Sequence, residues 1–229
     1  MALVKDMKIW QIKDFLENEL KEQIFLEIAP ILYIGQTTGG YFGVTRHILC
    51  LVDFLGALYC GYMDEEKKED FKRYKKMIIS KSSKVEKFIR EFLGDEEIDS
   101  NYKKNGNIFY KMYRHGLVHL YQPKTLKQKN GREVIWAIYK GPRQRATIQF
   151  KADKGEYIIN NVRHLDIVSN PALSNSDILT ISITCLYKDL LTVIDKFNLA
   201  IEKDASLVKN WQSASNAIIE AEEIEYENK

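Results

Sequence analysis

Ile48-Leu49-Cys50-Leu51-Val52-Asp53-Phe54-Leu55-Gly56-Ala57-Leu58-Tyr59-Cys60-Gly61-Tyr62 is the longest apolar stretch of the chain, and Asp53 is its one charged residue. A stretch this short, interrupted by a carboxylate, spans a bilayer poorly. Together with the residues before it, 41–62 reads as a helix that is apolar nearly all round, and such a helix belongs at the centre of a bundle. Asp53 needs a partner if it is buried there, an arginine or a tyrosine hydroxyl, because an unpaired buried carboxylate is strongly disfavoured. It reads as structural.

The flanking sequence supplies the rest of a bundle. Residues 7–28 place Ile9, Ile12, Phe15, Leu16, Leu20, Ile24 and Phe25 at three- and four-residue spacings, an amphipathic helix that Pro30 and then Thr37-Thr38-Gly39-Gly40 should break. After the central helix, Asp64 is a suitable N-cap for a charged segment with the stripe Phe71, Tyr74, Met77 and Ile78. Ser82-Ser83 starts a further helix through Val85, Phe88, Ile89, Phe92 and Leu93, stopped by Gly94. Residues 98–121 form the next, ending near Pro123 because the position before proline disfavours helix. Then the texture changes: Val134-Ile135-Trp136-Ala137-Ile138-Tyr139, Ala146-Thr147-Ile148-Gln149-Phe150 and Tyr157-Ile158-Ile159-Asn160 are β-branched and aromatic runs, with Gly141-Pro142 and Lys154-Gly155 as turns. Helical periodicity returns over 174–201, where Ser174 and Asp177 have capping-box spacing, and over 205–226. The expected fold is mainly α: one helical domain over 1–229, with a small antiparallel β-meander inserted between the late helices at about 132–162. A separate β subdomain, or strands that bridge protomers, are the alternatives.

Composition narrows the function classes. The 34 basic and 32 acidic side chains leave a net charge of +2, so the chain as a whole is not a polyanion binder. The basic excess is concentrated in 124–145, where Lys124, Lys127, Lys129, Arg132, Lys140, Arg143 and Arg145 face one acid, Glu133. With Trp136 and Tyr139 that stretch has the makings of a stacking and phosphate surface for single-stranded RNA, although a half-buried sheet with charged outer residues is the commoner outcome. Cys50, Cys60 and Cys185 sit in apolar runs without a CxxC pair and read as small reduced core residues of a cytoplasmic protein. The N-terminus lacks the apolar run of a signal peptide, and no membrane association is expected.

Chemistry concentrates in Tyr113-Arg114-His115-Gly116-Leu117-Val118-His119. Arg114 is a permanent cation able to bind phosphate through two parallel N–H groups. His119 titrates near neutrality and can act as acid or base. These are the groups that a metal-free attack of an RNA 2′-hydroxyl on its neighbouring phosphate requires. Five residues along a regular helix separate the two by about 140° of rotation, so they converge only if the helix is distorted near Gly116 or a second subunit completes the site. His115 and His119, four apart, share a face, which suits a metal, but no carboxylate or thiol at zinc spacing supplies further ligands. Neither metal nor cofactor is expected. The plain reading is a helix-end arginine and a histidine satisfied by a carbonyl; His115 either orients substrate or is solvated.

Arg114-His115-Gly116-Leu117-Val118-His119 resembles the arginine, four-to-six residues, histidine motif of the HEPN superfamily, with His115 in the place where a polar residue commonly follows the arginine. Phe109, Tyr110 and Tyr113 leading into it and Gln122-Pro123-Lys124 closing it agree with that resemblance. It implies a small helical bundle that dimerises, with motifs meeting at the interface. It also implies metal-independent ribonuclease activity of the kind found in toxin–antitoxin and phage-defence systems, and so an RNA substrate and an antitoxin protein as partners. Other members have lost activity and act as binding or scaffolding domains. On this reading Arg114 stabilises the phosphate, His119 moves the proton and His115 assists. Arg46, at the start of the central helix, and Lys124 are the candidate substrate-binding cations. Arg163-His164 reads as a structural cap or loop rather than a catalytic pair.

Overall fold

Helix α3 (Tyr41–Cys60) takes the place that its composition demands. In a computed structural model, which describes residues 3–34, 40–61, 82–120, 122–152, 155–169, 173 and 175–219, α3 packs against α4 (Ser82–Phe88), α5 (Asn101–Leu120), α6 (Ile183–Lys203) and α7 (Ala205–Ile219). Val44, Ile48, Leu49, Val52, Leu55 and Leu58 are buried on it. By length and apolarity alone α3 would also suit a membrane span, with a mean hydropathy of 1.3. The protein is mainly α. The helix expected from Asp64 lies outside the described residues, as does the end of the last helix beyond Ile219.

The first helical region is longer than its sequence suggested. α1 (Ile9–Asp14) passes through a π-helical segment (Phe15–Leu20) directly into α2 (Lys21–Ile34), and Pro30 lies inside α2 rather than beyond it. A proline costs one backbone hydrogen bond and some crowding, and here the burial of Ala29 and Leu32 on either side of it holds the helix together. Gly94 caps the π-helical turn (Ile89–Leu93) that follows α4, as its sequence indicated.

The strands do not form a meander. β1 (Leu126–Lys127), β2 (Glu133–Tyr139), β5 (Asp166–Ser169) and β6 (Ser176–Ser182) make a mixed sheet in the order β1-β2-β6-β5. β2 and β6 pair in parallel, with Ile135 opposite Ile178 and Ile138 opposite Ile181. β3 (Ala146–Ala152) and β4 (Gly155–Val162) form a separate antiparallel ribbon, with a register shift between Ala146 and Ile148. Lys154, half of one expected turn, lies outside the described residues, as does Ser174. The expected helix over 174–201 is therefore corrected: its first part is β6, and α6 starts at Ile183 with the Ser182 hydroxyl accepting from the Cys185 N–H. Ile178-Leu179-Thr180-Ile181 is covered on both faces, and a doubly buried strand is a continuous apolar run that periodicity does not separate from helix.

That double burial sets the layers. Val134, Leu179 and Ile181 face the main core with the helices, whereas Ala137, Tyr139 and Ile178 face Ala146, Ile148 and Val162 of the ribbon. A buried polar network joins sheet to helices. The N-terminal turns of α5 grip the turn at His164-Leu165: Asn101 Nδ2 donates to the His164 carbonyl at 3.1 Å and Asn105 Nδ2 to the Leu165 carbonyl at 2.8 Å. Leu165 is held there at φ 54°, a conformation that a leucine rarely adopts. His164 is fully buried, and its Nδ1 accepts from the Ser182 N–H at 3.0 Å. The proton of the neutral ring is therefore on Nε2, which lies 3.1 Å from the Tyr102 hydroxyl; that hydroxyl donates to Asp189 Oδ2 at 2.9 Å. Arg143 completes the network, donating to Asp99 Oδ2 at 2.6 Å and to Asp189 Oδ1.

Burial, reinforced by the charge of Arg143, pushes the His164 imidazole down to about 3. The unfolded chain takes up a proton near its ordinary value of about 6.5, which the folded ring refuses until about 3. This group's contribution to stability is therefore whole above about 6.5 and is lost as the pH falls through that window. Nitrogen NMR of the ring should show a neutral Nε2–H tautomer at pH 5. Tyr102→Phe, which leaves Asp189 Oδ2 and the His164 N–H without that hydroxyl, should cost roughly 1–3 kcal/mol in denaturant unfolding.

Candidate functional site

Asp53 and Arg114 meet where α3 crosses α5. The partner that an acid on an apolar helix requires is an arginine: Arg114 Nε donates to Asp53 Oδ2 at 2.7 Å, and the two side chains are 11% and 18% exposed. Tyr110, one turn before Arg114 on α5, is buried beside both and feels their charges. On α3, Arg46, Cys50 and Asp53 are spaced four and three residues apart and so share a face. The Cys50 thiol feels the charges of Asp53, Arg114 and Arg46 together. The cluster thus combines two guanidiniums, one carboxylate, a phenol and a thiol.

Each titration follows from this packing. Burial works against the charged guanidinium of Arg114, but the hydrogen bond and charge of Asp53 outweigh it and raise its affinity for the proton. Burial, then the Asp53 charge, pushes the Tyr110 phenol up, so it stays neutral. Burial and Asp53 likewise push the Cys50 thiol up. Of the three cysteines expected in the core, Cys185 is buried, Cys60 half-buried and Cys50 exposed, because the face of α3 that carries Cys50 is not fully covered.

The histidines of the motif sit on the same helix. The backbone of α5 runs as an α-helix through His115, Gly116 and His119 to Leu120, so His119 lies about 140° round the axis from Arg114. The distortion near Gly116 that would bring them together within one chain does not occur. Gly116 has a different reason to be glycine. The returning chain crosses over it, with Lys124 N–H donating to the Met112 carbonyl at 2.9 Å. A Cβ at 116 would stand 2.3 Å from the Gln122 carbonyl oxygen and 2.6 Å from the Pro123 Cα.

Lys124 is exposed just beyond that crossing, and Arg46 is half-buried on the Asp53 face of α3. The basic stretch 124–145 is not one surface. Arg132 binds Asp177 at 2.7 Å, and Arg143 is committed to Asp99 and Asp189. Trp136 packs edge-on against Phe42 with ring centres 5.3 Å apart, and buried Tyr139 donates to the Pro142 carbonyl. These rings are therefore core and turn residues, not a stacking platform. His164 is a structural residue of the loop, and His47 pairs with Glu27 at 2.8 Å. Among the described residues no group of three or more His, Cys, Asp or Glu stands where it could hold a metal ion. A cleft of about 960 Å³ lies at the other end of α5, around Arg90, Glu97 and Lys103; its walls carry both signs of charge and include no residue of the motif.

The arginine partner expected for Asp53 is Arg114, and Tyr110 lies beside the pair without having been singled out for it. Both carried a signal: a lone acid on an apolar helix, and a tyrosine one helical turn before the motif arginine. Comparison with protein-family models, with curated proteins and with solved structures finds no match.

Gly116→Ala should destabilise the protein by roughly 1–3 kcal/mol, because backbone rather than a flexible side chain occupies the space. Thermal and denaturant melts check this, and an unchanged melting temperature contradicts the crossing.

Proposed function

We propose that this chain is a HEPN-like, metal-independent endoribonuclease that works as a cytoplasmic homodimer. The observation that carries the reading is Arg114, a fixed cation paired with Asp53 and close to Tyr110 and Arg46, in a motif that also supplies His119. In the reaction the 2′-oxygen of a ribose attacks the adjacent phosphorus and the bond to the 5′-oxygen breaks. A neutral imidazole, His119, takes the 2′-hydroxyl proton, and an imidazolium returns one to the leaving 5′-oxygen. The products are a 2′,3′-cyclic phosphate and a 5′-hydroxyl. Arg114 stabilises the extra negative charge of the phosphorane. The second imidazole comes from His115 or from the motif of a second copy. The position of His119 round the helix from Arg114 favours a second copy, so that two motifs face each other. Arg46 and Lys124 extend the phosphate contacts along the strand. Toxin–antitoxin or phage defence is the setting that suits such an activity, with a cognate antitoxin protein as partner.

The second reading is a non-catalytic HEPN-like interaction or dimerisation domain. One observation favours it: Arg114 is already ion-paired, as an arginine with a purely structural task would be.

The two are separated by incubating purified protein with RNA and a chelator. The wild type should cleave and leave 2′,3′-cyclic ends, and Arg114→Ala and His119→Ala should each lose about 100-fold or more in rate. Equal, negligible cleavage by all three removes the enzyme and leaves the interaction domain.

A further inference from the structure

We propose that Asp53 is a positioning residue: it holds the Arg114 guanidinium by its Nε side so that the terminal Nη1/Nη2 edge is presented to a phosphate oxygen. The inference rests on the reading of Arg114 as a phosphate ligand and adds the device that aims it. An arginine has one Nε–H and four terminal N–H donors in a fixed planar fork, so a carboxylate on one edge leaves another for an anion. Here the bond to Asp53 Oδ2 leaves from Nε, at 2.7 Å. Tyr110 closes in from the same helix, one turn away. The Arg114 side chain is only 11% exposed. It is therefore not a mobile surface cation, and it lies in surroundings where charge is weakly screened. Asp53 comes from α3, 61 residues away in sequence, so the aim of the guanidinium depends on how α3 and α5 are packed.

Charge alone predicts the opposite of positioning. Removing an acid beside a phosphate site should strengthen anion binding; removing the group that orients the arginine should weaken it. The test uses the full chain with Asp53→Asn, which keeps an acceptor oxygen, Asp53→Ala, which does not, and Arg114→Lys. A lysine keeps the charge but offers a single nitrogen, which Asp53 occupies. Two readouts are taken beside thermal melts: kcat and KM on RNA with chelator, and the salt dependence of binding to an uncleavable 2′-O-methyl oligonucleotide.

In Asp53→Ala and Arg114→Lys, kcat falls about 100-fold, as for a displaced catalytic group. The slope of log K against log salt drops by about 0.7, one lost phosphate contact, as it does in Arg114→Ala. Asp53→Asn stays near wild type in both. Folded Asp53→Ala or Arg114→Lys with wild-type kcat and slope overturns the proposal, and so does Asp53→Asn as impaired as Asp53→Ala. If Asp53→Ala does not fold, Arg114→Lys decides by the same two readouts. If the wild type binds with the expected slopes but does not cleave, the ribonuclease reading falls while the positioning role stands. If the slope does not respond to Arg114→Ala, both fall.

Discussion

The Arg143 guanidinium, set between the carboxylates of Asp99 and Asp189, is the constraint on which the arrangement of sheet and helices depends. Two buried acids are untenable without a cation between them. Burial pushes the Asp189 carboxyl up, and Arg143 and the Tyr102 hydroxyl pull against that. Because Arg143 follows β2, Asp99 precedes α5 and Asp189 lies on α6, this one cation fixes three parts of the chain that apolar packing alone would let slide. Tyr102 and His164 extend the same wiring to the turn before β5, and the ring tautomer assigns the proton shared between Nε2 and the Tyr102 hydroxyl.

α5 is therefore anchored at both ends by polar contacts. Near its start, Asn101, Tyr102 and Asn105 hold the His164-Leu165 turn; about 18 Å further along, Arg114 is held by Asp53 on α3. Between them Phe109, Tyr110, Met112 and Tyr113 are buried. A helix fixed in this way has little freedom to roll or slide, which suits a side chain whose orientation matters. The return of the chain over Gly116 closes the last turns in the same spirit, since the crossing backbone leaves no room for a side chain.

Much of the helical part was legible because amphipathic spacing and caps act locally. The stop at Gly94 and the end of α5 before Pro123 each follow from the backbone chemistry of a few residues. β6 was not legible. Its apolar run is buried on both faces, so it carries no period-two signature, and the Ser182 cap that separates strand from helix lies within an apolar background. Pro30 misled in the opposite sense: its local cost is real, and the burial of its neighbours outweighs it.

The sequence by itself determined that the apolar stretch from Tyr41 forms a core helix, seen over Tyr41–Cys60, that Asp53 on it must find a cation or a hydroxyl, and that an arginine and two histidines lie together on one late helix. These follow from periodicity and from the cost of burying charge, which need no partner to be named. Tertiary structure decided which arginine answers Asp53, that β2 pairs in parallel with β6, and that Arg132 and Arg143 are spent on internal acids rather than offered to a polyanion. Pairings between residues 45 or 61 positions apart are set by how the helices and strands pack, and no local pattern records them.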